Sequence, residues 1–183
     1  MMIEVFDDAD KVAQKGAEIV AGEARFAVAT RGRFIIAVSG GQTPWKMLRA
    51  LAGKEIPWDS VHVVQVDERL APEGHPDRNL THLRESLLEH APLRPERIHA
   101  MPVEEKDLDA AVTSYALTLQ EIAGSPAVLD LVHLGLGPDG LDKAGARLGA
   151  GRFAGKLAER PDPLSLQPLD LSTVEAQRPQ RPR

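Results

Sequence analysis

Phe34-Ile35-Ile36-Ala37-Val38-Ser39-Gly40-Gly41-Gln42-Thr43-Pro44 decides the fold. Its first five residues are an unbroken apolar run of strand length, the pattern of a strand covered on both faces in a parallel sheet. Ser39-Gly40-Gly41 stops the run, and the next segment, Trp45 to Leu51, carries Met47, Leu48 and Leu51 at helical spacing. Thr43 is placed as the N-cap of that helix and Pro44 as its first residue. The stretch therefore reads as strand, glycine turn, helix.

The same grammar extends in both directions. Upstream, Ile3 to Phe6 is a short strand candidate, and Asp7 or Asp8 can cap an Ala-rich helix running to about Thr30. Downstream, Val61 to Val66 is a strand with Asp67-Glu68-Arg69 at its carboxyl end. A loop over Ala71 to Arg78 holds Pro72, Gly74 and Pro76, and Asn79 is placed to cap a helix to about Glu89, with Leu83, Leu87 and Leu88 on one face. Ile98 to Met101 is a further short strand, Asp107 to Ile122 an amphipathic helix, and Val128 to Leu134 a buried strand ending in Gly135-Leu136-Gly137-Pro138-Asp139-Gly140. Strands alternating with helices imply an α/β, three-layer fold: a mostly parallel, Rossmann-like sheet with helices on both faces and right-handed crossovers, incomplete relative to larger members of that class. Residues 1–140 read as one α/β domain. Residues 141–183 are a divergent segment, first rich in Gly, Ala, Lys and Arg, then carrying Pro161, Pro163, Pro168, Pro179 and Pro182; their composition predicts partial disorder.

Composition narrows the function. The chain has 183 residues, 43% of them hydrophobic, which suffices for one domain with a substantial core. A formal net charge of −5, with Lys and Arg scattered, gives no footprint for nucleic acid or an anionic membrane. Without cysteine, disulfides, thiolate metal sites and thiol nucleophiles are excluded. The N-terminus lacks the basic and apolar regions of a signal peptide and no apolar stretch is long enough to span a bilayer, so a cytoplasmic setting is expected. The 6 histidines show no tight ligand spacing, so no metal is expected. His133, inside an apolar strand, reads as a core histidine in preference to a base, and Trp45 and Trp58 read as packing anchors.

In an open parallel sheet the ligand crevice lies beyond the carboxyl ends of the strands, where Ser39 to Pro44, Asp67 to Arg69 and Gly135 to Gly140 converge. The first offers free backbone N–H groups at a helix N-terminus for an anion. Asp67 and Glu68 can accept hydrogen bonds from sugar hydroxyls or move protons, and Arg69 can clamp a phosphate.

Ser-Gly-Gly-x-Thr-Pro, then Asp-Glu-Arg with a Pro-containing loop and Asn79 before a helix with Arg84-Glu85, then Leu-Gly-Leu-Gly-x-Asp-Gly, resembles the 6-phosphogluconolactonases of the pentose phosphate pathway over about residues 3–140. The resemblance implies hydrolysis of 6-phosphogluconolactone to 6-phosphogluconate without metal or organic cofactor, on a small sugar-phosphate substrate. It implies that Ser39, Gly40, Gly41 and Thr43 cradle the phosphate with Arg69, that Asp67 and Glu68 face the sugar and the reacting centre, that Asn79 steadies the loop, and that Gly137, Asp139 and Gly140 line the pocket. The family continues Asp-Gly with His-Thr-Ala-Ser, the histidine acting as general base; here Leu141-Asp142-Lys143 follows, so the chain reads as that family truncated or rearranged after Gly140, with a deletion and a frameshift both open. Glucosamine-6-phosphate isomerases/deaminases are the related alternative, but they carry Thr-Gly-Ser-Thr-Pro and Asp-Glu-Tyr, and Ser39-Gly40-Gly41 and Arg69 side with the lactonases. A further alternative is an inactive sugar-phosphate-binding remnant. Oligomeric state is not legible.

Overall fold

The computed structural model describes residues 4–134. The first helix, α1 (Ala9–Arg31), starts where the Asp8 side chain accepts a hydrogen bond from the Lys11 N–H, 2.8 Å away, and ends at Gly32, whose φ of 74° closes the last turn. It feeds β1 (Phe34–Val38), which is buried along its whole length. Then come α2 (Gln42–Ala52), β2 (Val61–Gln65), α3 (Asn79–Leu83, continued by a π-helical turn over Arg84–Leu88), β3 (Ile98–His99), α4 (Leu108–Ala123) and β4 (Leu131–Val132). Asp107 caps α4 by accepting from the N–H groups of Asp109 and Ala110.

All pairs are parallel and the strand order is β3-β2-β1-β4. Phe34 pairs with Val61 and Val38 with Gln65 across β1/β2, while Ile36 pairs with Leu131 across β1/β4. Alternate residues of β1 point to opposite faces. Phe34, Ile36 and Val38 meet Ala13, Ala17, Val20, Ala24 of α1 and Leu48 and Leu51 of α2. Ile35 and Ala37 meet Tyr115, Leu119 and Ala123 of α4 on the other face. Helices on both faces explain why β1 is apolar at every position, each large buried side chain contributing about 1.5–3 kcal/mol. The architecture is a three-layer α/β fold. Arg31 locks its edge: the guanidinium reaches Asp130 Oδ1 at 2.7 Å, and Asp130 Oδ2 accepts from the Ile35 N–H, tying the end of α1 and the start of β4 to β1.

Four local expectations are corrected. Of Val128 to Leu134, expected as a buried strand, only Leu131–Val132 pair, as β4 at the end of the described sheet, and Val128 and Val132 are about half exposed because β4 has a strand neighbour on one side only among the described residues. Glu4 to Phe6 form no strand and Val5 is 89% exposed, so this short run lacks the burial that a strand of apolar residues needs. The N-cap of α2 is Gly41, not Thr43; with φ at 127° the glycine makes the sharp turn itself, so the helix begins at Gln42, with Thr43 and Pro44 inside its first turn. Asn79 does not cap α3 but is its first residue, since a carboxylate from elsewhere already occupies that helix end. The segment 141–183, expected to be a partly disordered tail, lies outside the described residues.

Candidate functional site

The chain runs from β1 to β2 to β3 in one direction and then crosses back to place β4 on the other side of β1. That reversal makes the carboxyl ends of β1 and β4 a topological switch point, the place where open α/β sheets bind ligands. Two backbone bonds extend the sheet toward it: Val66 N–H to Val38 O (2.9 Å) and His133 N–H to Ala37 O (2.8 Å). Ser39, Asp67 and His133 are thereby brought to the same end of the sheet.

Ser39 is buried, with Oγ 3.5 Å from His133 Nδ1. Gly40 follows, pressed against Asn79 so closely that a Cβ there would lie 1.9 Å from Asn79 Oδ1. Gly41 then turns the chain into α2, whose first turn receives no side-chain cap among the described residues. The amide ends of α2 therefore remain available to an anion. Asn79 also donates from Nδ2 to the Asp67 carbonyl (3.1 Å), so one side chain spans the loop after β1 and the loop after β2. Asp67 and Arg69 are partly exposed at the end of β2, and among the described residues the Arg69 guanidinium makes no ion pair.

Glu68 departs from the sequence expectation that it faces the sugar beside Asp67. It has 0% exposure, and its carboxylate accepts from Gln65 Nε2 (2.8 Å) and from the N–H groups of Arg69 (2.7 Å), Asn79 (2.7 Å) and Leu80 (2.9 Å). Arg78, 3% exposed, brings Nε to 3.4 Å and binds Ala71 O and Glu104 through Nη1. With its acceptor positions engaged inside the protein, Glu68 has none to offer a substrate.

Two residues were undervalued in the sequence. Gln65 ends the apolar strand β2, yet it is buried and organises its surroundings: Oε1 accepts from the Met101 N–H, and its backbone exchanges hydrogen bonds with the Tyr115 hydroxyl at 2.8 and 3.0 Å. Burial pushes that phenol upward in pKa, so it stays neutral. The usable signal was a lone polar side chain at the end of an apolar strand. His133 is the other: its imidazole stands beside Ser39 at the strand end, and burial lowers its pKa from the ordinary 6.5, which keeps it a neutral acceptor near pH 7. Trp45 stacks on His82 with ring centroids 3.9 Å apart, and Trp58 is buried, so both act in packing. Gly137, Asp139 and Gly140, and Leu141 after them, lie outside the described residues. Among the described residues no group of three His, Cys, Asp or Glu side chains is placed to hold a metal ion, and no helix is long and apolar enough to cross a membrane.

Residues 7–140 match the model of the glucosamine-6-phosphate isomerases/6-phosphogluconolactonase family. The chain belongs to this family. It is 34% identical over 142 residues to the 6-phosphogluconolactonase of Nostoc sp., covering 75% of this chain and 59% of the relative, and 36% identical over 147 residues to that of Mycobacterium tuberculosis, covering 75% and 60%. Among solved structures, 6-phosphogluconolactonase from Thermotoga maritima superposes with a TM-score of 0.67 at 23% identity, covering 77% of this chain and 62% of that one. A putative 6-phosphogluconolactonase from Neisseria gonorrhoeae gives 0.61 at 30% identity, covering 78% and 61%. The chain thus spans about 60% of the length of the curated relatives it matches.

Proposed function

We propose that the crevice at the ends of β1, β2 and β4 binds a six-carbon sugar phosphate, and that the chain hydrolyses the ring ester of 6-phosphogluconolactone, a step of the pentose phosphate pathway. The observation that carries this reading is that, among the described residues, the helix N-terminus after Ser39-Gly40-Gly41 receives no side-chain cap and the Arg69 guanidinium, at the end of the neighbouring strand, makes no ion pair. Backbone N–H groups and a forked cation together suit a phosphate dianion. Thr43, in the first turn of α2, is assigned to the same phosphate, and Gly137, Asp139 and Gly140 to the pocket wall. The similarity at 34–36% identity to proteins named 6-phosphogluconolactonase supports this choice of substrate.

Hydrolysis requires water to attack the C1 carbonyl, a proton to leave that water, and the ring oxygen to depart with a proton. Asp67 accepts hydrogen bonds from the sugar hydroxyls, and His133, neutral and at the strand end, is the described group suited to take the water's proton. Leu141 follows Asp139-Gly140 where the resemblance calls for histidine, which is why His133 matters.

The test is hydrolysis of freshly generated 6-phosphogluconolactone above its spontaneous rate. Asp67→Asn and His133→Ala are each expected to lower kcat by about 10²-fold or more, and Arg69→Ala to raise KM about tenfold. A rate equal to buffer for the parent chain refutes the lactonase reading, and saturable 6-phosphogluconate binding without turnover would favour a binding module instead.

A further inference from the structure

We infer that Glu68 is a positioning residue, a buried anion which, with Arg78 as counter-ion, holds Asp67, Arg69 and Asn79 in place around the phosphate ligand. The inference rests on the reading of the crevice as a sugar-phosphate site and assigns the acidic pair different tasks.

Neighbours on an extended chain point to opposite sides. Glu68 is wholly buried while Asp67 and Arg69 on either side of it are partly exposed, so anchoring Glu68 inward sets the two flanking residues on the other side of the chain. Its anchorage is specific. Every partner within reach is a donor: the Gln65 amide, the N–H groups of Arg69, Asn79 and Leu80, and the Arg78 guanidinium. Two of these bonds satisfy the first N–H groups of α3, so this helix end is already occupied by a protein carboxylate and is closed to the ligand. The end of α2, which receives no side-chain cap among the described residues, is the one the proposed function assigns to the phosphate.

The consequence for the site is geometric. Glu68 fixes the backbone of Asn79, Asn79 fixes the Asp67 carbonyl, and the bond to its own N–H fixes Arg69. The loop over Ala71 to Arg78 is closed at its base by the same ion pair, since Arg78 also holds Ala71 O at 2.9 Å. Loss of the carboxylate would release both sides of the phosphate clamp while leaving Arg69 itself intact, a preorganisation effect.

The experiment compares the parent chain with Glu68→Gln, which preserves shape but sets an amide NH2 against N–H donors. Arg78→Lys serves as the milder second variant should Glu68→Gln fail to fold. Backbone amide exchange and 6-phosphogluconate titration are both read by NMR. In either variant the amides of Arg69, Asn79 and Leu80 should exchange about tenfold faster or more while those of β1 keep their protection, and 6-phosphogluconate affinity should fall about tenfold. Unchanged exchange at those three amides overturns the inference. So does loss of turnover with unchanged exchange and affinity, which would make Glu68 a group acting on the substrate. If the parent chain binds no 6-phosphogluconate, the sugar-phosphate reading fails, and the exchange data alone uphold or overturn the anchor.

Discussion

Gly40→Ala tests the tightest contact in the site. A Cβ at residue 40 would lie 1.9 Å from Asn79 Oδ1 and 2.5 Å from its Cγ, so the Asn79 amide must retreat by about 1 Å or more. Moving it breaks the 3.1 Å bond to the Asp67 carbonyl, worth about 0.5–1.5 kcal/mol, and forces a group into a packed space, which typically costs about 1–3 kcal/mol. Part of the overlap is relieved by rotation of Asn79, so a loss of about 2 kcal/mol is expected. For a chain of this size that lowers Tm by roughly 4–8 °C in a thermal melt followed by circular dichroism. Asn79→Ala alone should cost about 1 kcal/mol, and the double variant should be no worse than Asn79→Ala, because the clash has gone. A Gly40→Ala melt within about 1 °C of the parent, or a double variant at the sum of the two losses, refutes the reasoning.

Other outcomes follow from the same contacts. Gly22 lies within α1 with no atom within 4 Å of where its Cβ would be, so Gly22→Ala should stabilise the chain by about 0.5–1 kcal/mol in a denaturant titration. His62 sits in β2 with Nδ1 3.0 Å from His99 Nε2 and Arg97 against its other nitrogen; burial first, then Arg97, His99 and Arg33, lower its pKa from 6.5 to about 4. The unfolded chain therefore binds a proton more readily than the folded one. The stability that neutral His62 supports is complete above about 6.5 and is lost as pH falls from there toward about 4, and His62→Gln should flatten that acid limb of a Tm–pH profile. Gln65→Leu should lower Tm, because it strips the Met101 N–H and Glu68 of a buried partner.

The elements legible in the sequence were those whose cause is local or periodic. Phe34 to Val38 announced a doubly covered strand because every residue had to be apolar, the start of α1 was narrowed to Asp7 or Asp8 because capping acts over three residues, and the α4 helix was legible from its apolar periodicity. Long-range partners hid the rest. Asn79 had the right chemistry for a cap, but Glu68, eleven residues upstream, already held that helix end. Thr43-Pro44 carried the usual signature of a helix start, and the unusual backbone of Gly41 moved the start forward. At the site, the sequence named Ser39, Gly40, Gly41, Asp67, Arg69 and Asn79, but not which way each faced. Nothing in Asp-Glu-Arg says that the middle residue turns inward, and nothing in Val-Gln-Val or Val-His-Leu says that Gln65 organises the interior or that His133 ends beside Ser39.

The central claim is that the strand-end crevice seats a sugar phosphate on the free end of α2. The most direct measurement is titration of the intact chain with 6-phosphogluconate, read residue by residue from backbone amide shifts. The account predicts saturable shifts at Ser39, Gly40, Gly41, Arg69 and His133, with little change at Arg84 and Glu89, which line a separate cleft of about 120 Å³. Shifts confined to that cleft, or none at millimolar ligand, would contradict it.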